Sequence, residues 1–591
     1  MRMEIGMYLT RSRWSRHFTT WILRQMPWSH ALVLLGLIVF VAGHAYYWLR
    51  ADVPLPTGSK DTVYMYHMTK YVDLFQQHGL NLGSILRGMR QQVYSPGYIL
   101  PAAILCYFQP VYWKIVFFSN LPYIILILFL TYKLGTLLVN HRVGLFATIL
   151  LALFPTFYGP SRLFLIQFAE MGVVLAAVYT LLKCEYFKNR GYSLLFGASM
   201  AVCLLVKIES VMFLIGPVGY VAARLVYLFI RRGKEIDFKR ASFHIFMGIL
   251  IVVIATSPVF FQRLGVLHGG LIGMGQEPGE SAGLHFGPYL AGLLENQLGP
   301  VFFVGFIGAF LHVLFFTAIS IHRKWILTLW MALPFGILVS MTHFPYVPYD
   351  YPFIPLVALL MAIWINSMKR KRYGVLAFLV LIGLLQHYSF SFGFPPRLDH
   401  LKTVLMGRTF AYFKEDDQIC RTPRSADRYL APYHEVFENL AGKIADPHSP
   451  KTLLVDGDLS DRHRYNPFMF LFMSRFQLTP YRIDYEYLDV GNYLNLDHYD
   501  RLLMFTSQND RAVRDKSWLF RTLAARVESH DVDRRGYAID EIKTYLDEKG
   551  PDRIGADYER LMSGFDESEI LTKNGVTVLM LQRRRYVPKI R

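Results

Sequence analysis

Residues 31–48 read ALVLLGLIVFVAGHAYYW. The run holds no Asp, Glu, Lys or Arg and closes on Tyr46-Tyr47-Trp48. An apolar stretch of about this length crosses the hydrocarbon core of a bilayer as a helix. Tyr and Trp gather where such helices leave that core. Ahead of the run, Arg2, Arg11, Arg13, Arg16 and Arg24 face one acid, Glu4. A cleaved leader has a shorter apolar core and small residues at its cleavage site. The reading is therefore a retained first membrane helix, preceded by a basic cytoplasmic segment over residues 1–30.

Comparable apolar runs lie near 115–138, 143–158, 165–183, 193–206, 210–230, 243–263, 300–321, 325–342, 352–367 and 374–391. With the first run they make about eleven crossings. Starting from a cytoplasmic N-terminus, this count puts His141-Arg142, Lys183 to Arg190, Arg231 to Arg240, Arg323-Lys324 and Lys369-Arg370-Lys371-Arg372 all on the cytoplasmic side, where short basic loops belong. Residues 97–109 are short for a crossing and read as a juxtamembrane or re-entrant piece. Counting them as a span would carry most of those basic clusters outside.

The composition agrees with a polytopic membrane protein. Of the 591 residues, 53% are hydrophobic and 18% charged, where a soluble chain has about 25% charged. Disorder, collagen-like fibre and a small disulfide scaffold are excluded. The net charge of +18 follows from the basic loops, and no basic face interleaved with aromatics points to nucleic acid. The four cysteines form no C-x-x-C pair that would suggest zinc or redox work.

Residues 393–591 have the composition of a soluble domain. Strand-like runs lie at Thr452–Asp456, Arg501–Thr506 and Val576–Gln582, with amphipathic stretches at Arg428–Lys443 and Ile539–Lys549. That alternation predicts a small α/β domain, and eleven crossings place it outside. The fold class expected is thus an α-helical polytopic membrane domain over 31–392 with a C-terminal soluble α/β domain.

Two outer loops are long, 49–114 and about 264–299, and loops of that length are usually functional. The first contains Asp61, in Gly58-Ser59-Lys60-Asp61-Thr62-Val63-Tyr64. A carboxylate there is placed to take a proton from an incoming hydroxyl or amine; its plain alternative is a helix N-cap. Arg162, Gln167 and Glu170 stand at the outer start of a helix, with Arg162 and Glu170 eight residues apart and so about two turns along one face. Polar groups at that depth usually line a cavity, although a snorkelling arginine and a structural carboxylate are equally plain readings. Lys207 and Glu209 sit between two apolar segments, either as a lipid-phosphate contact or paired with each other or with neighbours. His343, Tyr349 and Asp350 lie in a Tyr- and Pro-rich outer loop suited to sugar contact or to interface anchoring. Asp456-Gly457-Asp458 reads as a strand-end turn. Neither His463 nor His498 has metal-ligand spacing.

The order of these features resembles the GT-C superfamily of membrane glycosyltransferases, in particular the branch of protein O-mannosyltransferases and of the aminoarabinose transferases that modify lipid A. That branch carries an acidic motif early in a long outer loop, resembled by Asp61, and a Tyr-Pro-Pro-like segment, resembled by Tyr94-Ser95-Pro96-Gly97-Tyr98. A Ser-Arg turn leading to an acid is resembled by Ser161-Arg162 and Glu170, a lysine after two short helices by Lys207, and a late Arg-Tyr-Leu-Leu-Pro-like segment by Asp350-Tyr351-Pro352-Phe353-Ile354-Pro355. Two departures stand out: Thr62 follows Asp61 where the family commonly pairs two acids, and Asp350 replaces the late arginine.

The resemblance implies transfer of a sugar from a polyprenyl-phosphate donor to a lipid, glycan or protein acceptor on the outer face, with inversion. Asp61 would be the base, with Glu170 as the second candidate. Arg162, Lys207, Lys60, Arg87 and Arg90 would hold the donor phosphate, and Tyr94, Gln167, His343, Tyr349 and Asp350 would line the sugar and acceptor cavity. The branch often needs no metal, so no metal or cofactor is expected. A transporter would show repeated halves, and none is present; a non-catalytic glycan-assembly protein is the other alternative. The lack of Asn-x-Ser/Thr sites outside fits a bacterial inner membrane.

Overall fold

A computed structural model describes residues 26–52, 59–91, 95–231, 237–273, 290–317, 319–341 and 351–393, together with seven strands in the tail. The membrane domain opens with α1 (Trp28–Ala51). The long loop that follows is itself largely helical: α2 (Ser59–His78), α3 (Leu82–Gln91) and α4 (Pro96–Phe108). Low mean hydropathy hid the first two from a search for apolar runs, although Tyr64, Met68, Tyr71 and Phe75 bury one face of α2 at helical spacing. At about 1.5 Å per residue, the 13 residues of α4 fall well short of a bilayer core, in keeping with the short-segment reading.

Next come α5 (Tyr112–Leu138), α6 (His141–Leu153), a one-turn helix (Pro155–Tyr158), a 3₁₀ turn (Pro160–Arg162) and α7 (Ile166–Lys183). Then follow α8 (Arg190–Val206), a 3₁₀ turn (Ile208–Leu214), α9 (Ile215–Ile230) and α10 (Phe238–Gly273). The domain ends with α11 (Pro300–Phe315), α12 (Ile321–Met341), α13 (Ile354–Ser367) and α14 (Arg372–Phe392). Local chemistry sets several starts: Asn140 and Asn189 cap α6 and α8 by accepting from the amides of Val143 and Tyr192.

Each of the eleven apolar runs contributes a helix. By length and composition, six helices among the described residues can cross a membrane, and the pair 141–153 and 155–162, bent by 72°, makes a seventh. Arg190–Val206, Pro300–Phe315 and Tyr351–Ser367 are apolar but shorter. The most enclosed candidate span is α7, with 78% of its apolar window buried inside the protein. The bundle is packed tightly enough that a Cβ on Gly135 would lie 2.6 Å from Gly144 Cα, so α5 and α6 meet backbone to backbone.

The basic connectors collect at one end of this bundle. Arg323 Nη1 donates to the Leu138 carbonyl at 2.6 Å, and a His244 ring nitrogen bonds the Phe187 carbonyl at 2.7 Å. Leu228 and Ala241 pack with Tyr186 and Phe187. Since α7 runs toward this end and α8 and α14 run away from it, residues near 162–170, 207 and 391 belong to the other end.

In the tail, β1 (Lys402–Leu405) and β2 (Arg408–Ala411) pair antiparallel. A five-stranded sheet has the order β4-β3-β5-β7-β6, built from β3 (Thr452–Asp456), β4 (Tyr485–Tyr487), β5 (Arg501–Thr506), β6 (Phe565–Lys573) and β7 (Val576–Arg583). The three strands read from sequence are its three inner strands. β3 is parallel to β4 and β5, which requires crossover connections, whereas β7 is antiparallel to β5 and β6. The stretches Arg428–Lys443 and Ile539–Lys549, and residues 457, 458, 463 and 498, lie outside the described residues.

Candidate active site

A single amide shapes the turn that carries Arg162. Asn120 is fully buried within the apolar α5. Its Oδ1 accepts from the Tyr98 hydroxyl at 2.8 Å, and its Nδ2 donates to the carbonyls of Ser161 at 3.1 Å and Leu163 at 2.8 Å. Ser161 Oγ in turn donates to the Tyr158 carbonyl at 2.7 Å. With these carbonyls taken, Leu163 and Leu165 stay extended and α7 starts only at Ile166. The expected two-turn helical face joining Arg162 to Glu170 is therefore replaced by a turn followed by a helix.

Arg162 is buried, and its guanidinium lies over two rings, 5.4 Å from the Trp48 centroid and 5.2 Å from that of Tyr158. Nη2 donates to Ser391 Oγ at 2.6 Å, tying the turn to the end of α14. Stacking on aromatic faces suits a planar, weakly hydrated cation. Beside it lies His387, fully buried, with its ring 4.3 Å from Tyr158 and 5.0 Å from His44.

Glu170 is fully buried one turn into α7. Lys207 Nζ donates to its Oε2 at 3.1 Å, and Ser210 Oγ donates to its Oε1 at 3.2 Å. Lys207 stands where α8 ends, with extended backbone (φ −163°, ψ 127°) before the 3₁₀ turn that presents Ser210. Two groups that the sequence kept apart thus form one ion pair, and the pairing left open for Lys207 is made with Glu170. A buried carboxylate and ammonium at this depth require each other.

Gln167 joins the same region to the outer loop. Its Nε2 donates to the Tyr64 hydroxyl at 3.2 Å. Tyr64 follows Asp61 by three residues in α2, one turn along the same side. Asp61 and Lys60 occupy the first turn of that helix; their side chains lie outside the described residues, as do Tyr94, His343, Tyr349 and Asp350. Arg87 and Arg90 are exposed on α3, and Arg87 Nη1 donates to His78 Nε2 at 2.9 Å, so neither shares the buried setting of Arg162 and Lys207.

The Ser95-Pro96-Gly97 segment bears on Lys207 through packing. Ser95 takes a left-handed conformation (φ 40°) just before α4. Gly97 faces the end of α8 so closely that a Cβ would lie 2.9 Å from both Leu205 C and Val206 N. The backbone immediately before Lys207 is thereby fixed by a residue without a side chain. Sequence reading missed Asn120, Ser210, His387 and Ser391; the legible trace was an isolated polar residue within an apolar helix for Asn120 and His387. Among the described residues, no group of three or more His, Cys, Asp or Glu side chains is placed to hold a metal ion.

Residues 97–261 match the family model for dolichyl-phosphate-mannose-protein mannosyltransferases. That span includes Asn120, Arg162, Gln167, Glu170 and Lys207, and excludes Asp61. In fold, the chain is similar to apo ArnT from Cupriavidus metallidurans, with a TM-score of 0.51 and 14% identity over 82% of this chain and 94% of that one. The two chains share a fold. ArnT bound to undecaprenyl phosphate gives a TM-score of 0.49 at 12% identity over 80% of this chain and 92% of that one. The archaeal oligosaccharyltransferase AglB from Archaeoglobus fulgidus gives 0.38 at 14% identity over 61% and 55%. No curated protein matches this chain.

Proposed function

We propose that this protein is a GT-C-type glycosyltransferase that transfers a sugar from a polyprenyl-phosphate donor to a lipid, glycan or protein acceptor on the extracytoplasmic face of the membrane. The observation that supports this best is the convergence of Arg162, Gln167 and the Glu170–Lys207 pair at the end of the bundle away from the basic connectors, within the residues that match the mannosyltransferase family. The matching family is named for a dolichyl-phosphate sugar donor.

In this reading Arg162 and Lys207 offer N–H groups to the donor phosphate, which carries growing negative charge as the bond to the sugar breaks. Glu170, with both oxygens engaged, acts as a positioning residue that fixes Lys207. Asp61 accepts the proton of the acceptor hydroxyl or amine. The freed electron pair attacks the anomeric carbon from the side opposite the phosphate, and the C–O bond electrons leave with the polyprenyl phosphate, giving inversion. Proximity of Asp61 to the cluster is supported by Tyr64, one turn away and bonded to Gln167. Residues 393–591 form an extracytoplasmic domain, and no metal enters the step.

Binding of polyprenyl phosphate to the purified full chain tests the donor assignment. Wild type binds saturably, and Arg162→Gln and Lys207→Gln each weaken binding about tenfold or more, the worth of one hydrogen bond to a charged group. Equal binding by wild type and both variants would remove the two residues from the donor site.

A further inference from the structure

The opposite end of the bundle holds a second basic site. From Glu170 to Lys183, α7 rises roughly 20 Å, and there a cavity of about 720 Å³ opens between α5, α7 and the segment leading into α1. Lys133, Lys183 and His141 line it, together with Thr136 and Tyr179, and among the described residues no carboxylate lines it. Part of the remaining wall is apolar, from Met26 and Leu137.

Lys133 is 7% exposed. Its ammonium lies over the Phe129 ring at 5.4 Å, and that of Lys183 lies over the Tyr192 ring at 5.8 Å. The two ion pairs among the described residues are elsewhere, Lys207–Glu170 and Arg240–Asp237. Buried cations are normally matched by a counter-charge, and two ammonium groups facing one cavity repel each other until an anion lies between them. His141 is held in place for the same task. The Tyr132 hydroxyl bonds His141 Nδ1 at 3.0 Å and lies 3.3 Å from His30 Nδ1, which leaves Nε2 as the ring nitrogen for a ligand. Thr136 and Tyr179 add hydroxyl donors at the wall.

We propose that this cavity binds a phosphate-bearing anion, held by Lys133, Lys183 and His141, at a site separate from the Arg162–Lys207 cluster. A point-charge ammonium pair with hydroxyl donors suits phosphate oxygens. The apolar wall accommodates the glycerol and first acyl carbons if the phosphate belongs to a lipid headgroup. A free phosphate would use the same polar atoms.

The test is ligand-linked stabilisation of the purified full chain in a neutral detergent, titrated separately with phosphatidylglycerol, phosphatidylcholine and inorganic phosphate. The expected result is a saturable rise in the unfolding midpoint with phosphatidylglycerol or inorganic phosphate. The apparent Kd weakens about tenfold or more in Lys133→Gln and in Lys183→Gln, and stays within about threefold of wild type in Lys183→Arg and Lys207→Gln. A rise with phosphatidylglycerol alone identifies a lipid headgroup; equal rises with both identify the phosphate group itself. Lys183 is only half-buried, so Lys183→Gln carries the test if Lys133→Gln does not fold. No saturable rise with either anion, a rise with phosphatidylcholine of the same size, or a Kd unchanged in Lys183→Gln would overturn the proposal. Loss of the response in Lys207→Gln would return the anion to the other site.

Discussion

Lys207 Nζ lies 3.1 Å from Glu170 Oε2, a contact across 37 residues of sequence that fastens the break after α8 to the first turn of α7. Glu170 is inaccessible and Lys207 nearly so. Removing one partner leaves a buried charge, at a cost of about 3–5 kcal/mol, whereas removing both leaves neutral groups. Lys207→Gln is therefore expected to lower unfolding stability by that order, and Glu170→Gln with Lys207→Gln together to cost much less than the sum of these two single changes. A double-mutant cycle from unfolding measurements checks this; additive losses would mean the pair is not coupled.

Asn120 predicts a linked loss of stability and of donor affinity. Asn120→Leu strands the carbonyls of Ser161 and Leu163, which Nδ2 now holds, at about 1–3 kcal/mol for each group left without a partner. Because the same turn carries Arg162, polyprenyl-phosphate binding should weaken in parallel. Asn120→Asp keeps the acceptor and loses the donor, so it should behave like the leucine variant. Unfolding and binding measured on the same preparations decide this.

Gly97→Ala should disturb Lys207 without touching it. The new Cβ meets backbone atoms of Leu205 and Val206 at 2.9 Å, and backbone cannot swing aside as a side-chain tip can. A loss of about 1–3 kcal/mol is expected for such overpacking, with a further loss in Gly97→Val. The accompanying effect is weaker donor binding, measured by titration with polyprenyl phosphate.

Tyr64→Phe keeps the ring and removes the hydroxyl that Gln167 bonds. The expected stability loss is only about 1 kcal/mol. If the Tyr64 turn positions Asp61, kcat falls while the KM for donor changes little. A fall in donor affinity with kcat preserved would place Tyr64 in donor binding instead.

The membrane helices were legible because their signal is local: apolar runs near bilayer length, with basic residues between them, give α1 and α5 to α14 directly. The strands β3, β5 and β7 were legible for the same reason, as apolar runs between polar ones. α2 and α3 were not, because they are amphipathic pieces stabilised by packing on one face. For the site, Arg162, Glu170 and Lys207 stood out as charges beside apolar segments, but their partners did not. Pairing Glu170 with Lys207 and Arg162 with Ser391 depends on the three-dimensional path of α7, α8 and α14. Asn120 was passed over because hydropathy averages a lone amide away.

The most direct measurement is transfer from a panel of polyprenyl-phosphate sugars by purified wild type and Asp61→Asn, following both the glycosylated product and the released polyprenyl phosphate. Wild type is expected to turn over at least one donor, and Asp61→Asn to lose turnover while still binding that donor. Full turnover by Asp61→Asn would contradict Asp61 as the base, and a wild type that neither binds nor consumes any polyprenyl-phosphate sugar would contradict the transferase itself.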